Sequence, residues 1–144
     1  RIDRYGGGMS TRSRLLVTAL AGWSLFVWVN RITNAWTGDE GLVGKLTSTV
    51  TALVLLGLAV AAVGEVWRRD APRAARLAKL LAGATIVVWA IRMPLMILFG
   101  GWSLGYLVVL PVLAIASVAL AVVSWRSVSA DAAALPGDRP ALRG

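Results

Sequence analysis

Residues 104–125 read LGYLVVLPVLAIASVALAVVSW, a stretch without one charged side chain. About 20 consecutive apolar residues are enough for an α-helix to cross the hydrocarbon core of a bilayer. Three further apolar stretches occupy residues 15–36, 46–67 and 77–99. Hydrophobic residues make up 58% of the 144-residue chain and charged residues 15%, whereas soluble domains average about 25% charged. The sequence therefore predicts an all-α fold, a four-transmembrane-helix bundle, and argues against an ordinary soluble protein.

The chain beyond these stretches predicts three parts. Residues 1–13 are interpreted as a linker or N-terminal extension, because three glycines precede Met9, which could begin the natural chain. Residues 14–126 form the predicted transmembrane domain. Residues 127–144 contain Pro, Gly and charged residues and are predicted to be a disordered cytoplasmic tail. A cleaved signal peptide is the rival interpretation of the first stretch, but three more apolar stretches follow it.

Three segments separate the predicted helices. The sequence TGDEG at 37–41 is a turn cluster. Residues 68–76 are predicted to be a charged connector that contains Pro72. Gly100 and Gly101 are predicted to end the third helix.

Basic residues predict the orientation, because cytoplasmic loops retain Lys and Arg. Twelve of the fifteen basic residues fall on the side that holds both chain ends and the second connector. The three others are Arg31, Lys45 and Arg92. We therefore predict a multi-pass protein of the cell membrane with cytoplasmic N- and C-termini. Tryptophans at the interfaces agree with this orientation: Trp67 and Trp125 on the inner side, and Trp36 and Trp102 on the outer side.

A short motif occurs twice, 61 residues apart. Val27-Trp28-x-x-Arg31 lies in the first stretch and Val88-Trp89-x-x-Arg92 in the third. The second and fourth stretches align at an offset of 58, which superimposes the Trp-Arg pairs that end them. We therefore predict two parallel two-helix hairpin repeats, about 14–69 and 75–127, related by an axis along the membrane normal.

The arginines of this motif are the candidate functional residues. Arg92 lies thirteen residues beyond Lys79, roughly 20 Å along a helix, and therefore falls within a hydrocarbon core of about 30 Å. The repeat gives Arg31 the same depth, and each arginine follows a tryptophan by three residues, where an aromatic face can attract a cation. We predict an anion-binding or lipid-binding site made of Arg31, Arg92, Trp28 and Trp89. Alternatively, both arginines snorkel to the outer headgroups and bind nothing.

Several chemistries need residues that this sequence lacks. It contains no Cys and no His, which excludes thiolate and histidine metal sites and Ser-His or Cys-His nucleophiles. We therefore expect no catalytic residue, no metal ion and no cofactor. Glu65 is the only acid within an apolar stretch, and a local pair with Arg68 or Arg69 explains it. Asp39 and Glu40 in the first outer loop are the nearest acids that could pair with the candidate arginines.

The outer start of the second helix is polar. Its hydroxyl residues are Thr47, Ser48, Thr49 and Thr51. Hydroxyls within a helix commonly donate to the carbonyl one turn earlier. We expect this bonding here, in preference to a polar crevice.

The pattern Trp23-x4-Trp28-x2-Arg31-Ile32-x-Asn34, followed by a polar loop and three more apolar stretches, resembles small uncharacterised four-helix integral membrane proteins of actinobacteria. The resemblance covers about residues 14–125. Thirteen Arg against two Lys, with abundant Ala and Val, fits a bacterial genome of high GC content. The resemblance implies a bacterial plasma membrane, and those proteins bring no established activity or binding residue.

Two functions are compatible with these features. The first is a non-enzymatic membrane protein that binds an anionic lipid or the transmembrane helices of a partner through Arg31 and Arg92. The alternative is a small oligomeric transporter or channel for an anion or an amphiphile. Expected partners are membrane lipids and a membrane protein or a second copy, and not nucleic acid, because orientation explains the net charge of +8. A continuous polar path would favour transport, whereas an outer crevice closed below by Leu and Val would favour binding.

Overall fold

The computed structural model describes residues 9–39, 41–99 and 104–134. The described residues form four long helices. They are α1 (Thr11–Thr37), α2 (Leu42–Arg68), α3 (Ala71–Phe99) and α4 (Leu104–Ala134). The all-α, four-helix prediction is therefore confirmed, and each helix is long and apolar enough, by length and composition, to cross a membrane.

The helices pack in a ring in chain order, and α1 closes the ring against α4. Short connections make consecutive helices antiparallel, and only Arg69 and Asp70 separate α2 from α3. Consequently α1 and α3 run in one direction and α2 and α4 in the other. Residues near the ends of α1 and α3, such as Arg31 and Arg92, therefore lie towards the same end of the bundle.

The turn between α1 and α2 lies where the sequence predicts it. The backbone N–H of Gly38 donates to the carbonyl of Asn34 at 3.0 Å, which ends α1. A Cβ at position 38 would lie 2.9 Å from that carbonyl oxygen, so the close approach requires glycine. Glu40 in this turn, and Gly100, Gly101 and Trp102 between α3 and α4, lie outside the described residues.

The corner between α2 and α3 corrects the prediction of a charged connector. Residues 71–76 are the first turns of α3. Asp70 begins the helix, since its Oδ1 accepts from the backbone N–H of Arg73 at 3.3 Å. Pro72 falls in the first turn, where a residue without an N–H breaks no helical hydrogen bond. The prediction is wrong because this proline starts a helix, whereas the sequence interpretation used it as a helix breaker.

The interior of the bundle is built from small side chains around three leucines. Leu20, Leu55 and Leu81 are almost completely buried, and they pack with alanines of all four helices. These alanines are Ala21, Ala52, Ala59, Ala82 and Ala121. Large apolar side chains instead cover the outside: Val43, Trp67 and Phe99 are 78%, 78% and 81% exposed. Small residues inside and large apolar residues outside are typical of helices that pack together within lipid.

A polar seam joins α1 to the end of α4, and it corrects two predicted boundaries. The hydroxyls of Ser13 and Ser127 lie 2.7 Å apart, and the backbone N–H of Ser10 donates to Asp131 Oδ2 at 2.9 Å. Met9 and Val128 are buried together in the same cluster.

The predicted linker over residues 1–13 is thus wrong for residues 9–13, and the predicted disordered tail is wrong for residues 127–134. Ala121, Ser124, Val128 and Asp131 follow the helical spacing of three to four residues along one face, which packs on α1. The sequence interpretation missed this face because serine and aspartate occupy half of it. Residues 1–8 and 135–144 lie outside the described residues.

Candidate functional site

Two arginines from different helices converge on one hydroxyl. Arg31 of α1 donates from Nη2 to Ser48 Oγ at 3.5 Å, and Arg92 of α3 donates from Nη2 to the same oxygen at 3.0 Å. Ser48 lies on α2, between the two helices in the ring, and is buried. Both arginines are half-buried. The serine oxygen has two lone pairs, so one hydroxyl can accept from both guanidinium groups.

Trp28 completes this group. The Cζ of Arg92 lies 5.7 Å from the centroid of the Trp28 ring, within the range of a cation–π interaction. Trp28 is 3% exposed and belongs to the central apolar core. The guanidinium of Arg92 is thus held on α1 by an aromatic face and on α2 by a hydroxyl. We call Arg31, Arg92, Ser48 and Trp28 the arginine cluster.

Trp89 lies apart from the arginine cluster. It packs with Val27 and Ala114, on the side of α3 that faces α4. There it also lines an apolar groove of about 520 Å³ together with Pro111. The sequence predicts that each tryptophan faces the arginine of its own motif, but the structure pairs Arg92 with Trp28 of the other motif.

The two predicted hairpins differ in sequence at the position of Ser48. The offset of 58 that aligns α2 with α4 puts Tyr106 at the position equivalent to Ser48. The second hairpin therefore has no serine at that position, and Arg92 extends to Ser48 on α2. The structure brings together three of the four residues predicted for the site.

The threonines around Ser48 behave as expected for helical hydroxyls. Thr47, Thr49 and Thr51 each donate to the carbonyl four residues earlier at 2.8 Å. Ser48 differs because it accepts from two arginines on neighbouring helices. Sequence analysis grouped it with the threonines and missed it. Its position three residues after Lys45, on a face that turns towards α1 and α3, becomes recognisable only once the ring of helices is known.

An indole and an ammonium group lie between the arginine cluster and the end of the bundle that holds the α1–α2 turn. Trp36 donates from Nε1 to Thr49 Oγ1 at 3.0 Å, and Lys45 Nζ lies 6.0 Å from the centroid of the Trp36 ring. Arg31 precedes Trp36 by five residues, which is about 7.5 Å along the helix axis. The arginine cluster thus lies between this Trp-Lys pair and the middle of the bundle.

Apolar side chains fill the bundle below the arginine cluster. Leu20, Leu55 and Leu81 are at most 1% exposed there. Two hydroxyl residues, Ser24 and Thr85, are also buried between the arginines and the leucines of their own helices, and Thr85 donates to the carbonyl of Leu81 at 2.8 Å. Further along, Trp23 Nε1 donates to Ser117 Oγ at 2.8 Å between α1 and α4. The interior below the arginine cluster is thus mostly apolar.

The predicted local pair of Glu65 is present in the structure. Glu65 Oε1 is 3.6 Å from Arg68 Nη1, which confirms the predicted local pair. Asp39 is exposed in the turn after α1, and Glu40 lies outside the described residues. Among the described residues, no group of three or more His, Cys, Asp or Glu could hold a metal ion.

Comparisons with protein-family models, with curated proteins and with solved structures found no match to this chain.

Proposed function

We propose that the chain is a non-enzymatic multi-pass membrane protein that binds an anionic lipid headgroup at the arginine cluster. The observation that carries the proposal is the convergence of Arg31 and Arg92 on the single oxygen of Ser48, at 3.5 and 3.0 Å. A phosphate has several oxygens and can accept two parallel hydrogen bonds from a planar guanidinium group. Two guanidinium groups that meet at one position can therefore donate to the same phosphate.

The surroundings of the cluster favour binding of an anion over simple snorkelling. A snorkelling arginine extends towards water and needs no fixed partner. Arg92 instead is held between a buried indole at 5.7 Å and a buried hydroxyl at 3.0 Å. Fixed donors lose less conformational entropy when a ligand arrives, and their electrostatic attraction is stronger away from bulk water.

The apolar core favours binding over transport. A transporter or channel needs a path across the bundle, whereas Leu20, Leu55 and Leu81 fill the interior below the cluster. A headgroup could enter the cluster from the surrounding lipid without crossing that layer. The alternative, a small oligomeric transporter or channel for an anion or amphiphile, would need a path at the outside of the bundle.

The membrane setting rests on the surface of the bundle and on its charged ends. Large apolar side chains cover the outside, and both ends carry a lysine beside an indole. Lys79 Nζ lies 5.9 Å from the Trp125 ring at one end and Lys45 Nζ 6.0 Å from the Trp36 ring at the other. Most other basic residues lie at the end that holds Lys79, which supports the proposal of cytoplasmic termini in a bacterial cell membrane.

Replacing each arginine by lysine tests the proposal. Lysine keeps the charge and the reach but has no planar fork. We expect Arg31→Lys and Arg92→Lys each to weaken binding of phosphatidylglycerol about tenfold or more, because a lost hydrogen bond to a charged group is worth about 1.5–3 kcal/mol. Binding is measured by native mass spectrometry of delipidated protein to which phosphatidylglycerol is added in detergent.

The matched control is Lys45→Arg, which exchanges the same two residue types at the same end of the bundle but outside the arginine cluster. It should bind phosphatidylglycerol like the wild type. Unchanged lipid binding by both arginine variants, with melting curves like that of the wild type, would contradict the proposal and favour snorkelling.

A further inference from the structure

A second groove lies at the opposite end of the bundle, between the start of α1 and the end of α2. Its volume is about 420 Å³. The residues that line it are Thr11, Arg14, Leu15, Thr18, Val66, Trp67 and Arg69. Two arginines thus stand at the end of a surface whose remaining residues are mostly apolar, and Trp67 is 78% exposed beside them.

The backbone of Arg69 suggests that its side chain is needed at this place. Arg69 ends α2 in the left-handed conformation, with φ 61° and ψ 22°, and it is the only described non-glycine residue with positive φ. Glycine adopts this conformation without strain and is the usual residue there. An arginine at this position keeps a guanidinium at the mouth of the groove in spite of a strained backbone.

The carboxylates nearest to the groove in the described part of the chain form their ion pairs with other arginines. Glu65, which lies in an adjoining crevice with Arg14 and Arg69, forms its ion pair with Arg68. Asp70 forms its ion pair with Arg73, at 3.5 Å. No ion pair joins Arg14 or Arg69 to a described carboxylate.

We infer that this groove binds an anionic phospholipid of the leaflet that faces the ends of α1 and α4. The phosphate lies between Arg14 and Arg69, and an acyl chain follows the apolar surface of Leu15 and Val66 towards the middle of the bundle. Charge complementarity favours this occupant. Exposed tryptophans such as Trp67 mark the level of the lipid headgroups, and the guanidinium groups of Arg14 and Arg69 lie at the same level. The site is separate from the arginine cluster and does not depend on it.

The test uses Arg69→Gly, a variant that removes the guanidinium and relieves the backbone strain at once. The full chain with Arg31→Lys and Arg92→Lys is the background, so that binding at the arginine cluster is weakened equally in every protein compared. The protein is reconstituted in nanodiscs with equal amounts of phosphatidylglycerol and phosphatidylcholine. Native mass spectrometry of the ejected protein then gives the ratio of the two lipids that stay bound.

We expect the background protein to retain phosphatidylglycerol preferentially. Arg69→Gly and Arg14→Gln should each reduce this preference severalfold, and Arg69→Gly should melt at the same temperature as the background or higher. Arg12→Gln is the matched control, because Arg12 is exposed on the same turn of α1 but does not line the groove. It should keep the preference within about twofold, since distant exposed charges contribute little in salt.

Three results would overturn the inference. The first is an unchanged lipid preference in Arg69→Gly and Arg14→Gln. The second is an equal loss of preference in Arg12→Gln, which would indicate general attraction of the basic end to anionic lipid. The third is a dimer that Arg69→Gly dissociates, which would mean that a second copy of the chain occupies the groove. Failure of the arginine cluster to bind lipid would leave all three results unaffected.

Discussion

Ser48 is the residue that turns two separate cations into one cluster. It lies on the helix between α1 and α3, and its oxygen accepts from both Arg31 and Arg92. Trp28 adds a second restraint on Arg92 from α1. The cluster therefore depends on the packing of three helices.

The two tryptophans of the repeated motif should differ in their importance for lipid binding. Trp28→Leu and Trp89→Leu both remove a buried indole, 3% and 5% exposed respectively, and both should lower the melting temperature in detergent. Only Trp28→Leu removes the aromatic face under Arg92, which is worth about 1 kcal/mol. Phosphatidylglycerol binding should therefore weaken about fivefold in Trp28→Leu and stay unchanged in Trp89→Leu. Equal weakening in both variants would mean that the cation–π contact does not matter for binding.

The residues of the cluster divide into those that the sequence predicts and those that it does not. Arg31 and Arg92 stand out because charge within an apolar stretch is costly and occurs here twice. Ser48 does not stand out, since most helical hydroxyls bond to their own helix, as Thr47 and Thr49 do. Local spacing alone places Trp89 in the predicted site, whereas in the structure Trp89 packs against α4 and lies apart from the arginine cluster.

Among the elements, α4 departs most from the sequence prediction. It continues through Ala134 and packs on the start of α1. Length and hydropathy identify where a helix can cross a membrane, but they carry no information about a polar helix end that packs on its own protein. The same applies to α3, whose first turns are charged and contain Pro72.

The end of α4 should contribute to the thermal stability of the bundle. A chain that stops after Arg126 loses buried Val128 and the hydrogen bonds of Ser127 and Asp131 to α1. Each hydrogen bond is worth about 1 kcal/mol, so thermal stability in detergent should fall clearly. A chain that stops after Ala134 keeps all these contacts and is the control. Equal melting temperatures for the two truncated chains would show that the end of α4 adds no stability.

The whole molecule is arranged with small side chains inside and large apolar side chains outside. Leucines and alanines form its centre, while residues such as Phe99 and Val43 face outwards. A bundle of four helices was predictable from four apolar stretches and short connections. The packing order that brings α2 between Arg31 and Arg92 was not, because periodicity along a helix does not specify its neighbours.

The orientation of the bundle in the membrane can be measured with introduced cysteines. The chain has no cysteine, so each introduced cysteine is a unique label. Thr37→Cys in the α1–α2 turn should react with a membrane-impermeant thiol reagent on intact cells. Ala71→Cys at the α2–α3 corner should react only after the cells are permeabilised, because basic residues surround this corner. Labelling of Ala71→Cys in intact cells would reverse the orientation.

A double-mutant cycle measures directly whether Arg31 and Arg92 bind one anion together. Dissociation constants for phosphatidylglycerol are determined for the wild type, Arg31→Lys, Arg92→Lys and the double variant. If both arginines hold one phosphate, the double variant should bind only slightly more weakly than the weaker single variant, with a coupling of about 1 kcal/mol or more. Additive losses, or wild-type affinity in all four proteins, would show that the two arginines do not hold one phosphate together.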